Sequence, residues 1–149
     1  MVSVSDSIRL EVDPATVFAY LDDPQGHVEV TPSLAGVENI QPLDGGGKRL
    51  DFTYSIAGVP LSGELLQTVY EPDERMAFEM SGQLNGTITV EMEPTDDGTR
   101  VTYTGEYEIP GKVLARVAEP FVRRYNEREV RTLLANLKTR LEDGDDWEW

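Results

Sequence analysis

Cysteine is absent from this 149-residue chain, and histidine occurs once, at His27. The first absence excludes disulfides, thiolate catalysis and cysteine-ligated zinc or iron–sulfur sites. The second means that any zinc site or Ser-His-Asp triad has to be built around a single imidazole. Positive charge is scarce too: 13 Lys and Arg stand against 28 Asp and Glu, a formal net charge of -15. A nucleic-acid-binding surface needs a basic footprint that this composition does not supply. Long apolar runs are also missing. The longest, Val17 to Leu21, falls far short of the roughly 20 residues that cross a bilayer. The opening Met1-Val2-Ser3-Val4-Ser5-Asp6 has no basic segment ahead of an apolar stretch, so no secretory signal is read there. With 39% hydrophobic and 28% charged residues, the expectation is one globular, cytoplasmic, monomeric domain.

The acidic excess is lopsided, with 3 Lys and 10 Arg against 12 Asp and 16 Glu. Such a surface repels itself in dilute buffer and is relieved when salt screens it. An acid-rich, lysine-poor composition resembles that of proteins from salt-accumulating archaea, and a haloarchaeal origin is the expectation.

Along the chain, Ser3 to Val12 reads as a first strand, with Val4, Ile8, Leu10 and Val12 sharing a parity. Asp13-Pro14 then looks like a helix start, an acidic cap followed by proline at the first helical position. Val17, Phe18 and Leu21 recur at helical spacing until Asp22-Asp23-Pro24 stops the segment. Residues 25 to 33 read as a helical turn or loop. From Leu34 the period becomes two: Val37 to Ile40 reads as a strand, and Leu50, Phe52, Tyr54 and Ile56 alternate with polar residues, the pattern of a half-buried strand. Further strands follow through Tyr70, through Met76, Phe78 and Met80, through Ile88, Val90 and Met92, and through Val101, Tyr103, Tyr107 and Ile109. Asp96-Asp97-Gly98 is a hairpin turn between the last two. After Pro110-Gly111, residues 112 to 141 form one long helical pattern, about 45 Å if unbroken. Its stripe is Leu114, Val117, Ala118, Phe121, Tyr125, Leu133, Leu134, Leu137 and Leu141. Pro120 is expected to kink that helix or to start its second segment. Residues 143–149 read as an acidic flexible tail.

The long helical stretch carries eight of the 13 basic residues and three acids, a local charge of +5 in an otherwise strongly acidic chain. Either its exposed face pairs with acidic sheet edges and solvent ions, or Arg123, Arg124, Arg128 and Arg131 attract an anionic head group or an acidic protein partner. Asp44-Gly-Gly-Gly47 lacks the Gly-Lys-Ser/Thr ending of a phosphate loop. Asp143-Gly-Asp-Asp146 lacks calcium-loop spacing. No metal site and no cofactor are read from the sequence.

A strand, two short helical segments, six antiparallel strands and one long helix leave only that last helix to cover the sheet. A strongly curved sheet gripping a helix rarely closes completely, so a cavity between them is expected. The resemblance to a known family rests on four stretches. These are Ile8-Arg-Leu-Glu-Val-Asp-Pro-Ala-Thr-Val-Phe18; Gly63-Glu-Leu-Leu-Gln-Thr-Val-Tyr-Glu-Pro72 with Glu74-Arg-Met76; Asp97-Gly-Thr-Arg-Val-Thr-Tyr103 leading into Pro110-Gly-Lys112; and Leu134-Ala-Asn-Leu-Lys-Thr-Arg-Leu-Glu142. In this order and at these spacings they resemble the START/Bet v 1-like (SRPBCC) superfamily, and within it the polyketide cyclase/dehydrase and CoxG-like branch. The resemblance covers roughly Ser3 to Glu142. It implies an α+β helix-grip fold: a curved antiparallel sheet of about seven strands, two short helices, and a long C-terminal helix over a cavity, in a single domain of residues 1–142. One departure is visible. Family members often carry a tryptophan in the second short helix, where this chain has His27-Val-Glu-Val-Thr-Pro32.

The resemblance further implies binding of a small hydrophobic ligand, lipid- or polyketide-like, between sheet and helix. Inward parity on the strands selects Phe52, Tyr54, Phe78, Met80, Val90, Tyr103 and Tyr107 as its lining. Val117, Phe121 and Tyr125 are the corresponding candidates on the helix. A cyclase- or dehydratase-like enzyme is an alternative, with Tyr103, His27 and Glu64 as acid–base candidates, although a lone histidine beside a loop is more often a solvent-exposed surface residue. Glu64 and Gln67 lie on opposite parities of one strand, so one of them faces inward. A CoxG-like assembly or protein-interaction role is a further alternative. If the acidity is an adaptation to salt, the urea unfolding midpoint rises between dilute buffer and molar KCl; a midpoint that does not rise overturns the halophilic reading.

Overall fold

The computed structural model describes residues 2–143, so the tail expected at 143–149 lies outside the described residues except for the backbone of Asp143. Strand β1 spans Val2–Leu10 and places Val2, Val4 and Leu10 inward, stopping before Val12 because the chain turns into Asp13-Pro14. Asp13 caps helix α1 (Pro14–Asp22), its carboxylate accepting from the Thr16 amide at 2.8 Å. Asp23 repeats the device for α2 (Pro24–Val30), accepting from the Gln25 amide at 3.0 Å, with Pro24 in the first turn. The stretch 25–33 is therefore mostly an ordered helix. Gly26 is what lets the two helices meet at a sharp corner. A Cβ there would lie 2.2 Å from the Tyr20 carbonyl oxygen, so only glycine fits.

Six strands follow: β2 (Leu34–Pro42), β3 (Lys48–Ile56), β4 (Val59–Glu71), β5 (Arg75–Gly82), β6 (Asn85–Thr95) and β7 (Gly98–Glu108). They pair antiparallel with their sequence neighbours, and β1 closes onto β7 in the order β1-β7-β6-β5-β4-β3-β2. β2 is longer than the Val37–Ile40 core expected for it, and irregular, with register shifts on both sides of Gly36–Glu38 and a positive φ of 52° at Asn39. Edge strands tolerate such bulges because only one side of the ladder has to match. At the centre of β4, Gly63 stands opposite Phe52, and a Cβ at Gly63 would meet the Phe52 ring at 2.9 Å. The bare glycine leaves that ring room to lie on the inner face.

The helical pattern of residues 112–141 is broken into three pieces: α3 (Gly111–Leu114), α4 (Glu119–Lys138) and a π-helical turn (Thr139–Asp143). Pro120 sits in the first turn of α4, where its missing N–H has no partner to lose, and Ala118 before it is extended at φ -69°, ψ 151°. Of the two behaviours open to this proline, the structure takes the start of a second segment. α4 packs against β1 and α2, α1 against β6 and β7, and α2 also against β2. Two polar ties pin the C-terminal helical run: Asn136 Nδ2 of α4 donates to the Val30 carbonyl at 3.1 Å, and the Glu11 amide donates to Glu142 of the π-helical turn at 2.8 Å. The apolar inner face of the sheet, α1, α2 and the buried stripe of α4 enclose one core cluster.

Candidate functional site

That core is not filled. A cavity of about 110 Å³ lies between the concave face of the sheet and the helices. Phe52, Phe78, Met80, Leu50 and Ile56 from the strands, with Leu133 and Val130 from α4, make it largely apolar. The volume is below the roughly 300–1,000 Å³ of pockets that take drug-sized ligands, so a compact occupant is the one that fits.

Of the residues selected from the sequence, Phe52, Tyr54, Phe78, Met80, Tyr103 and Tyr107 line this cavity together. Val90 does not line it. It is fully buried on the same face as Tyr103, its cross-strand neighbour, on the strand where α1 packs. Val117, Phe121 and Tyr125 do not line it either. They border a shallow hollow on the outside of the molecule, beside Ala57, Arg124 and Arg128, and Phe121 is 61% exposed. The reason is rotation: with α4 starting at Glu119-Pro120, its inward line runs through Val122, Asn126, Glu129, Val130 and Leu133, not through Phe121 and Tyr125. Tyr125 instead ties the wall together from the side, bonding the Ser33 hydroxyl and donating to the Ser55 carbonyl at 3.3 Å.

The acid–base candidates separate as well. Glu64 faces away from the cavity and pairs diagonally with Arg49 across the β3–β4 ladder, where Asp51 stands opposite it, while Gln67 is the buried, inward member of that strand. His27 is not a surface residue. Its ring turns into the cavity, edge-on to Phe78 and Tyr103 at centroid distances of 6.2 and 6.1 Å, and Nε2 lies 3.3 Å from the Tyr103 hydroxyl. Burial pushes its pKa down to about 4, against the pull of a hydrogen bond to the Leu21 backbone, with Lys48 adding to the depression. His27 is thus a neutral imidazole at pH 7. Burial raises the Tyr103 and Tyr107 hydroxyls above their ordinary range, and the Glu129 carboxylate pushes Tyr103 further the same way.

Asn126 and Glu129 of α4 are polar lining residues that escaped the sequence reading, as did Asp22, Thr31 and Lys48. Asn126 donates to the Tyr107 hydroxyl and, at 2.8 Å, to the Val122 carbonyl. Glu129, only 9% exposed, accepts the Ser33 amide at 2.8 Å. The signal was present: the apolar stripe read from the sequence jumps from Tyr125 to Leu133, and these two residues occupy the helical phase inside that gap. At one end of the cavity, Lys48 donates to Asp22 at 2.7 Å and to Gln67 at 3.3 Å, an ion pair that joins β3 to the end of α1. Among the described residues no cluster of three or more His, Asp or Glu is arranged to hold a metal ion, and no helix is long and apolar enough to cross a membrane.

The sequence profile of the family described as polyketide cyclase / dehydrase and lipid transport matches residues 1–142. No curated protein matches the sequence. Among solved structures, the chain is similar to TTHA0849 from Thermus thermophilus, with 19% identity over 95% of this chain and 98% of that one and a TM-score of 0.81. A START superfamily protein from Mycobacterium smegmatis is 14% identical over 95% and 97%, with a TM-score of 0.73. The di-domain ARO/CYC StfQ from the steffimycin biosynthetic pathway is 15% identical over 97% of this chain but 52% of its own length, with a TM-score of 0.76. These likenesses establish the helix-grip architecture.

His27, the only histidine in the chain, gives the site a measurable signature. Its folded pKa of about 4 lies below the ordinary 6.5, so the unfolded chain binds the extra proton first as pH falls. Stability from the neutral imidazole is complete above pH 6.5 and is lost on acidification towards 4. Between pH 7 and 5 the loss is about 2 kcal/mol. Urea unfolding of wild type and His27→Gln at both pH values isolates it as the part of the pH dependence that the variant lacks. An equal pH dependence in the two proteins refutes the buried, neutral assignment.

Proposed function

The chain belongs to the polyketide cyclase / dehydrase and lipid transport family, and from that premise we propose that it binds a small, largely apolar molecule in the cavity between the sheet and α4. The observation that carries the reading is an underfilled, apolar interior whose few polar groups converge on the same space. Burial of apolar surface, about 25 cal/mol per Å² before ordering costs, supplies the affinity, and the polar groups supply orientation. Phe52, Phe78 and Met80 form the apolar wall; Tyr54, Tyr103 and Tyr107 hold the hydroxyls. A cyclase- or dehydratase-like activity would draw on Tyr103 and the neutral His27 beside it. Glu64, outside the cavity, has no part in that.

A second reading, docking of an acidic protein in the manner of a CoxG-like assembly factor, is favoured by one separate observation. Phe121 and Leu114 are 61% and 47% exposed on the basic α3–α4 segment, and Arg124 lies 5.9 Å over the Phe121 ring. A complex of this kind dissociates as KCl is raised and is lost in Phe121→Asp; one that survives both is held by another surface.

The ligand-binding reading is tested with naphthalene as a compact apolar probe. Saturable one-to-one binding to the wild type, weakened at least about tenfold in Phe78→Trp, is the expected result, because the larger ring fills space that the ligand needs. Far-UV circular dichroism shows whether the variant is folded. Absence of saturable binding to the wild type, or unchanged affinity in a folded Phe78→Trp, overturns the reading.

A further inference from the structure

Resting on the ligand-binding reading, we infer that the cavity selects a neutral, hydroxyl-bearing apolar molecule and rejects a carboxylate. Most of the polar groups that line it are already engaged by protein. The Tyr107 hydroxyl is held by Asn126, the Tyr103 hydroxyl lies 3.3 Å from His27 Nε2, and Lys48 Nζ is taken by Asp22 and Gln67. Two groups remain. The Tyr54 side chain lines the cavity, and its hydroxyl enters none of these bonds. Glu129 accepts the Ser33 amide with Oε1, which leaves its Oε2 open to a further donor. The two line the same cavity, Tyr54 from β3 and Glu129 from α4, and the Glu129 carboxylate adds to burial in raising the Tyr54 pKa.

Their chemistry is complementary to an alcohol or phenol. A carboxylate oxygen only accepts, whereas a tyrosine hydroxyl both donates and accepts. A ligand hydroxyl can give its proton to Glu129 Oε2 while its oxygen receives the Tyr54 proton, so both leftover groups are satisfied by one atom of the ligand. An unsubstituted hydrocarbon leaves them unpaired. A carboxylate brings no proton for Oε2 and sets a second negative charge beside the first, where little water is present to screen the repulsion. Sites built to hydrogen-bond a substrate hydroxyl discriminate strongly for this reason, because the penalty falls on the site's own unpaired groups. The one cation that lines the cavity, Lys48, does not offset this, since Asp22 already neutralises it at 2.7 Å.

Equilibrium dialysis at pH 7 with naphthalene, 2-naphthol and 2-naphthoate tests the inference, since the three share a ring system and differ at one substituent. The wild type is expected to bind 2-naphthol at least about tenfold more tightly than either of the others. Glu129→Gln keeps a carbonyl oxygen for the Ser33 amide and removes the charge, so the preference for naphthol over naphthoate collapses towards one. Tyr54→Phe reduces the preference for naphthol over naphthalene. Equal binding of naphthol and naphthoate by the wild type, or a preference unmoved by Glu129→Gln, overturns the inference. Naphthoate binding more tightly than naphthol, and losing that advantage in Lys48→Met, overturns it in favour of Lys48 as the anchor. If none of the three binds, the ligand-binding reading itself fails; binding of naphthalene without discrimination removes the hydroxyl selectivity alone.

Discussion

The concave face of a seven-stranded sheet is covered by one long helix helped only by two short ones, and the mismatch between those surfaces governs the rest of the molecule. Each strand from β3 to β7 presents an apolar inner face, and together they curve around more volume than the side chains of α4 fill. Twist and bulging make the curvature unavoidable, and close packing would demand more apolar side chains than one helix carries. The cavity of about 110 Å³ is what remains. An empty apolar void forfeits contact energy along its lining, so a fold with this geometry gains stability from an occupant. The ligand-binding proposal follows from packing before any side-chain chemistry is considered.

Polar groups inside that void are the second constraint. Burying a hydroxyl, an imidazole or a carboxylate is unfavourable unless a partner is found. This chain meets the requirement in pairs: Asn126 with Tyr107, Ser33 with Tyr125, the Ser33 amide with Glu129, and Lys48 with Asp22. Among the described residues, Thr95 Oγ1 is the one fully enclosed side-chain polar atom without a partner. Against that background the Tyr54 hydroxyl, which enters none of these pairs, stands out, because its side chain lines the cavity. The same desolvation that raises the tyrosines lowers His27, so one physical cause sets the protonation state of groups on β3, β7 and α2 alike.

Much of this was readable in the residue pattern. The period-two alternation of Leu50, Phe52, Tyr54 and Ile56 placed the inner face of β3 correctly because a strand's sidedness is settled by local geometry. Asp13-Pro14 marked the start of α1, and Pro120 marked the start of α4, because proline's missing N–H restricts a helix from within its own backbone. The helix side of the site was read one step out of phase. Phe121 and Tyr125 are large and apolar, and they sit at helical spacing from Leu114 and Val117. That stripe assumed one continuous helix. The extended Ala118 resets the rotation, and Val122, Asn126 and Glu129 turn inward in place of Phe121.

What the sequence determined by itself, then, is the order of the elements, the face each strand buries and the overall architecture, since these follow from periodicity, caps and turn residues within a few positions of one another. Only the tertiary structure decided the polar chemistry of the interior. His27 reads as a loop residue until Gly26 lets α2 fold back against Tyr20 and carries the imidazole to Tyr103, a residue 76 positions away. Glu129 reads as a solvated charge on a basic helix until α4 docks and the Ser33 amide, 96 positions distant, takes its carboxylate. Composition cannot foresee such meetings, because a polar side chain's surroundings are fixed by which distant segment packs over it and not by its neighbours in the chain.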